Sequence, residues 1–236
     1  MGSKRCLIAF DIDNCLMPVN RPAEERTRRQ LHELHDAGAH LTFASGKPCV
    51  YLSGLARGLG VMDCSLIGEN GADIWVTSTM PPVRLPSELS ADEVEALRSL
   101  RHAVDSRYGD KVFFQPNAVG VTAFPRCDTL TPAQVEREVN VQLPETISTY
   151  IHIDSVDWAV KRFNKGIALQ RLAQHLGIPI SRVAAAGDGA NDLPMLAIAS
   201  LALWLGDADD ASGVTVERVG TVDRMMERLI GFAHEV

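Results

Sequence analysis

Three short apolar runs in this chain each stop at polar residues able to do chemistry. Leu7-Ile8-Ala9-Phe10 ends at Asp11-Ile12-Asp13, Leu41-Thr42-Phe43-Ala44 ends at Ser45-Gly46-Lys47, and Val183-Ala184-Ala185-Ala186 ends at Gly187-Asp188-Gly189-Ala190-Asn191-Asp192. Such runs read as strands buried on both faces of a parallel sheet. In open sheets of that kind ligands bind beyond the carboxyl ends of the strands. Four carboxylates, a hydroxyl and an amide meeting there make a metal-dependent site that handles anions. Carboxylates held that close repel one another, and burying one unpaired costs several kcal/mol. A hard divalent cation with oxygen ligands, Mg²⁺ most naturally, removes the conflict.

Each motif also has a plainer reading. Ser45 stands ahead of a helix start, where free N–H groups and the dipole favour anions; it also suits a simple N-cap. The G-x-x-x-x-G-K phosphate loop is absent here, because Leu41 occupies the position of its first glycine. Lys165, between Asn164 and Gly166, opens a helix, where a cation opposes the macrodipole. A neighbouring phosphate would justify it; otherwise it is a surface lysine. Gly187 to Asp192 allows a tight turn with two carboxylates bracketing an amide, or serves only as turn and cap. His32, His35 and His40 read as solvated rather than as metal ligands, Trp75, Trp158 and Trp204 as packing residues unless Trp158 lines the insert, and Arg84, Arg126, Lys161 and Arg162 as solvated surface cations unless they contact an anionic substrate.

The elements that must position these groups alternate strand and helix. After the 7–10 strand comes a helix from Arg21 to Ala37, with Gly38 closing it. The 41–44 strand leads to a helix from Pro48 to Leu59 ended by Gly60, then a strand at Leu66-Ile67 and the segment Gly68-Glu69-Asn70-Gly71. Strands spaced by helices imply right-handed βαβ units. The pattern changes near Pro81-Pro82. A helix over Leu89–Tyr108 carries the capping box Ser90/Glu93. Strands at 112–115 and 119–124 form a hairpin, Thr131-Pro132 opens a helix to about Val141, and 150–153 with 158–160 form a second hairpin. From Lys165 the βα alternation resumes, with a helix to His175, the 183–186 strand, a helix from Asn191, a strand at 201–205 and a closing helix over 222–233. The fold class is therefore α/β, a Rossmann-like parallel sheet core (1–81 and 162–236) with an inserted small α+β cap domain (82–161).

With 236 residues, 46% hydrophobic and 22% charged, the chain is long enough for such a core with an insert. A net charge of -7 argues against nucleic acid as partner. It leaves room for small phosphate esters if a cation and local lysines line the pocket. Five cysteines, odd in number and without C-x-x-C spacing, argue against a disulfide framework or zinc site and suit a reducing compartment. Lys4 and Arg5 precede an apolar run that Asp11 and Asp13 break too early for an export signal. Met1-Gly2 opens a myristoylation-like pattern, but Cys6 stands where Ser or Thr is wanted. No stretch approaches the ~18 apolar residues of a membrane span, so the expected location is the cytoplasm, with no membrane partner.

Taken in order, Asp11-x-Asp13, Ser45-Gly46, Lys165 and Gly187-Asp188-Gly189-x-Asn191-Asp192 resemble the four-motif signature of the haloacid dehalogenase-like phosphatases. The segment Glu69-Asn70-Gly71-Ala72 and the place of the insert are similar to the Cof-type branch, whose small-capped members include phosphoglycolate and sugar-phosphate phosphatases. The resemblance implies that Asp11 is the nucleophile and that Asp13 is general acid, then base. It implies Ser45, Gly46, Lys165 and Asn191 on the phosphoryl oxygens. It implies Mg²⁺ held by Asp11, the Asp13 carbonyl, Asp188 and Asp192. The implied cofactor is Mg²⁺ and the implied partner a small phosphorylated metabolite. The family usually carries Gly-Thr after the second aspartate; here Asn14 can adopt the left-handed backbone in place of Gly, while Cys15 loses a hydroxyl. Lys47 stands where Arg is common. The expected function is a Mg²⁺-dependent phosphatase acting through an aspartyl-phosphate. A phosphomutase and a catalytically silent binding protein on the same scaffold are the alternatives.

Overall fold

The computed structural model describes residues 6–19, 21–139, 142–206, 211 and 213–236. The Met1-Gly2 pattern and the Lys4-Arg5 pair lie outside them, while the helix expected to reach about Val141 ends at Glu138, where Val139 turns extended. The chain divides into two compact units, 1–85 with 164–236, and 86–163.

In the first unit β1 (Cys6–Phe10) is buried at every residue. Its side chains alternate between two cores: Cys6, Ile8 and Phe10 face one, Leu7 and Ala9 the other. That double burial is why the run is continuously apolar. The helices α1 (Glu25–Asp36), α2 (Cys49–Leu59) and, at the chain's end, Val222–Glu235 cover the first face with Leu31, Leu34, Leu52, Met225 and Leu229. Helices over Lys165–Leu176 and Leu193–Ile198 cover the second with Leu169, Leu172, Met195 and Leu196. β2 (Ala39–Ala44) and β3 (Cys64–Gly68) extend the sheet on one side of β1. On the other side β1 pairs in parallel with Val183–Gly187, which pairs with Leu201–Trp204 and then Glu217–Arg218. The chain thus reverses direction across the sheet at β1, the position where such folds place ligands.

The sheet is not wholly parallel. β4 (Asp73–Trp75) and β5 (Arg84–Leu85) add an antiparallel edge beyond β3. Strands of three and two residues are too short to carry a periodic signal. Other boundaries shift as well. α1 starts at Glu25 rather than Arg21, since Pro22 keeps the residue before it extended and Glu24 is an extended N-cap. The helix expected from Asn191 begins at Leu193, after one tight 3₁₀ turn over Ala190–Asp192. His40 is not solvated: it lies on β2, is buried, and its Nε2 is 2.7 Å from Ser65 Oγ. All three tryptophans are buried.

The second unit runs α3 (Ala91–Tyr108), β6 (Val112–Phe114), β7 (Val121–Pro125), α4 (Pro132–Glu138), β8 (Ile147–Ile151) and β9 (Val156–Val160). Its four strands form an antiparallel sheet in the order β6-β7-β9-β8. Leu97, Leu100, Val104, Val121 and Trp158 build a separate core. Both helices open with capping boxes, Ser90/Glu93 and Thr131/Gln134. Glu93 also receives Arg162, whose Nη2 lies 2.8 Å from Oε2 and whose Nη1 bonds Oε1, so this arginine is a bound partner rather than a solvated cation. The remaining core elements are numbered α5 (Lys165–Leu176), β10 (Val183–Gly187), α6 (Leu193–Ile198), β11 (Leu201–Trp204), β12 (Glu217–Arg218) and α7 (Val222–Glu235). Among the described residues no helix is long and apolar enough to cross a membrane.

Candidate active site

Asp11 is the first residue past β1, and its amide continues the ladder by donating to Ala186 O at 2.9 Å. The chain then turns at once: Leu16 N and Met17 N both donate to Ile12 O at 3.0 Å, and Asn14 takes φ 60°. Asparagine accepts that left-handed conformation as a glycine would. Cys15 is fully buried, with Sγ 3.9 Å from Met225 Sδ. The position is therefore a packing site where no hydroxyl is needed.

Ser45, past β2, is buried but is not a helix cap; Pro48 is the N-cap of α2. Instead Ser45 Oγ accepts from Lys47 N at 3.2 Å, a local turn that aims the loop. Lys47 Nζ bonds Asp13 Oδ2, an ion pair in which both side chains are about one third exposed (31% and 32%). Past β10, the amides of Asp188 and Gly189 each donate to Asp192 Oδ2 at 3.0 Å. Asp192 is thereby folded back under its own loop and is buried.

Lys165 joins these segments. Asn164 caps α5 by accepting from Ile167 N at 2.9 Å, and Lys165 follows with a fully buried side chain. Its Nζ donates to Asp11 Oδ1 and to Asp192 Oδ1, both at 2.6 Å. The unfavourable cation at a helix start is thus answered by two carboxylates within the protein, and the surface reading of this lysine is overturned. Burial alone would pull the ammonium's pKa down; Asp11 and Asp192 more than offset it, and the net direction is up.

Oxygens of Asp11, Asp188 and Asp192 can lie within 4.8 Å of one another. Of the four carboxylates expected to converge, the side chain of Asp13 turns instead to Lys47. Burial pushes Asp11 up to about 7, with Lys165 opposing and Asp192 and Asp188 adding to the rise. Asp188 is pushed up to about 6, first by burial and then by Asp192. Three carboxylates against one ammonium leave excess negative charge in a small space. That donor set, all hard oxygen, fits a divalent cation of the Mg²⁺ kind.

Two links have only weak signals in the sequence. The Lys47–Asp13 pair spans 34 positions, and only a lysine following Ser-Gly hints at it. Asn70, in the turn after β3, accepts at Oδ1 from Asn191 Nδ2 at 3.0 Å; an Asn-Gly pair at a strand end is its faint mark. Of the cations read as solvated, Arg84 bonds the buried Asp73 at 2.7 and 3.0 Å.

Residues 8–118 and 123–213 match the family of haloacid dehalogenase-like hydrolases. The HMP-PP phosphatase of Cronobacter sakazakii is 29% identical over 230 residues, covering 85% of this chain and 84% of that protein. A 5-amino-6-(5-phospho-D-ribitylamino)uracil phosphatase of Bacillus subtilis is 24% identical, covering 90% and 88%. A haloacid dehalogenase-like hydrolase from Bacteroides thetaiotaomicron superposes with TM-score 0.77 over 96% of this chain and 98% of that one; at 17% identity this likeness concerns the fold alone. The chain belongs to the haloacid dehalogenase-like hydrolases. Within them it falls in the Cof-type branch, and the two relatives named above are phosphatases.

Proposed function

We propose that this chain is a Mg²⁺-dependent phosphatase that cleaves a small phosphorylated metabolite, a sugar phosphate or a phosphoglycolate-like ester, through an aspartyl-phosphate on Asp11. The reading is carried by one observation: Lys165, 154 positions from Asp11 and 27 from Asp192, bonds both from full burial. The phosphorylated compound named for the Bacillus relative supports the substrate class. Free buried thiols support a reducing cytoplasm as the setting.

In the first half-reaction the Asp11 carboxylate forms a bond to phosphorus as the bond to the leaving alcohol breaks, and Asp13 gives its proton to that alkoxide. In the second, Asp13 takes a proton from a water that attacks phosphorus, and the Asp11–phosphorus bond breaks to release inorganic phosphate. Lys165 keeps the Asp11 carboxylate oriented and offsets phosphoryl charge. Ser45, Gly46 and Asn191 take the phosphoryl oxygens. Lys47 holds Asp13 in place. Asp11, the Asp13 carbonyl, Asp188 and Asp192 would hold Mg²⁺, which when bound draws charge from the phosphoryl oxygens and relieves the repulsion among the carboxylates.

The test is phosphate release from a panel of sugar phosphates, phosphoglycolate and phosphoglycerate, with Mg²⁺ or with a chelator. Turnover should require the metal, and Asp11→Asn should abolish it while the circular dichroism spectrum is unchanged. Retained turnover in Asp11→Asn, or phosphoryl return to the substrate with no free phosphate, overturns the reading.

A further inference from the structure

Glu69, Asn70 and Gly71, in the turn after β3, take φ of 52°, 54° and 105° in succession. Asparagine and glycine tolerate this region, but glutamate rarely enters it. A turn of this kind persists only where its surroundings over-determine it, and here they do. Glu69 N donates to Lys47 O and Asn70 N to Ser45 O, both at 3.0 Å. Asn70 Nδ2 lies against Gly46, 3.3 Å from where a Cβ on that glycine would stand. Asn70 Oδ1 receives Asn191 Nδ2 at 3.0 Å. Behind it, Gly71 is pressed on the main chain of Asn164, whose carbonyl carbon would lie 2.5 Å from an added Cβ. Asn164 is the cap of the helix that begins with Lys165.

One turn thus touches three of the polar segments: the Ser45-Gly46-Lys47 loop, the start of α5, and the Asn191 loop. We propose that Asn70 is a positioning residue for phosphoryl binding. Its carboxamide holds the Asn191 side chain on one side and seats against Gly46 on the other, fixing the separation between the donors that take the phosphoryl oxygens. The side chain must accept a hydrogen bond from Asn191, add no negative charge among groups that take an anion, and stand on left-handed backbone. Asparagine meets all three conditions. Aspartate would accept but add a charge that repels the phosphoryl oxygens, and glycine would keep only the backbone. The inference rests on the phosphoryl-transfer reading of the site given above.

Asn70→Gly preserves the backbone and removes the carboxamide, so it isolates the side chain; Asn70→Asp keeps shape and acceptor and adds charge. With para-nitrophenyl phosphate and Mg²⁺, Asn70→Gly should lower kcat/KM about tenfold, as for a lost hydrogen bond in an aligned site, chiefly through KM. Asn70→Asp should fall further, and the melting temperature of Asn70→Gly should stay near that of the parent chain. Combining Asn70→Gly with Asn191→Ala should cost clearly less than the product of the two single losses, since Asn70 acts in part through Asn191. Inorganic phosphate affinity, measured by calorimetry with Mg²⁺ present, should weaken in parallel. If Asn70→Gly matches the parent within about twofold in kcat/KM and in phosphate affinity, or if the two losses multiply, the positioning role is wrong. If the parent chain hydrolyses nothing yet binds phosphate in an Asn70-dependent way, the hydrolase reading fails and the brace stands. If it neither hydrolyses nor binds phosphate, both are overturned.

Discussion

Gly187 has no room for a side chain because Asp192 occupies the space: a Cβ there would stand 2.5 Å from both Cβ and Cγ of Asp192. The glycine at the end of β10 is therefore what lets the following loop fold back and place its second aspartate beneath the first. Both groups are buried and neither can yield cheaply. Asp192 is fixed by two amides and by Lys165.

Gly187→Ala should displace Asp192 and, through it, Lys165. Overpacking of this kind costs about 1–3 kcal/mol, to be read as a lower midpoint of urea unfolding. Mg²⁺ affinity should fall with it, because one of the three clustered carboxylates has moved. Equal metal affinity in the variant, by calorimetry, would show that Asp192 does not hold the ion.

Lys165→Met keeps the length of the side chain and removes its charge. Asp11 and Asp192 then lose their internal cation while still buried. Breaking a buried pair from one side costs about 3–5 kcal/mol, and activity should fall by on the order of 10³ or more as transition-state charge goes unanswered. Because the carboxylates now repel without restraint, the rise in melting temperature on adding Mg²⁺ should exceed that of the parent chain. A smaller rise would contradict the charge balance described for this site.

The sequence discloses this centre because its chemistry sits at the ends of strands buried on both faces. Apolar runs such as Leu7–Phe10 and Val183–Ala186 are unmistakable, and the polar residue after each must lie at the sheet's carboxyl edge. What stays hidden depends on pairing across the chain. The role of Lys165 is suggested by its motif, but its two partners within the protein, carboxylates remote in sequence, are not. The bond from Lys47 to Asp13, and that from Arg162 to Glu93 across 69 positions, leave no local pattern. His40 looks solvated beside two charged-helix histidines until the strand is seen to begin at Ala39. The edge strands β4 and β5 are held by pairing with β3 rather than by any periodicity of their own.

Lys47→Ala should separate catalysis from stability. The pair with Asp13 is about one third exposed on both sides, so its loss should change unfolding free energy by no more than ~1 kcal/mol. The carboxyl it holds is the proposed proton donor, and a misplaced donor costs on the order of 10²-fold. The expected loss is therefore in kcat, with Lys47→Arg restoring most of it. A KM effect alone would reassign Lys47 to substrate binding.

In the second unit, Glu93 is 2% exposed and both of its oxygens are taken by Arg162. That bond first, with the Ser90 amide among the further causes, holds its carboxyl down at about 2 against an ordinary 4.5. A depressed carboxylate stabilises the fold above its unfolded pKa, and the contribution is lost as pH falls through the folded one. The window here runs from about pH 4.5 down to about 2. Arg162 is 43% exposed, so water screens part of the attraction. Glu93→Gln should therefore cost about 1–3 kcal/mol at neutral pH, mostly from leaving buried donors imperfectly matched. The difference between variant and parent should hold constant from pH 7 to pH 5 and shrink below pH 4.5, as read from urea unfolding at each pH. A gap that widens on acidification would mean that the carboxyl is protonated in the folded protein and that Arg162 is held by something else.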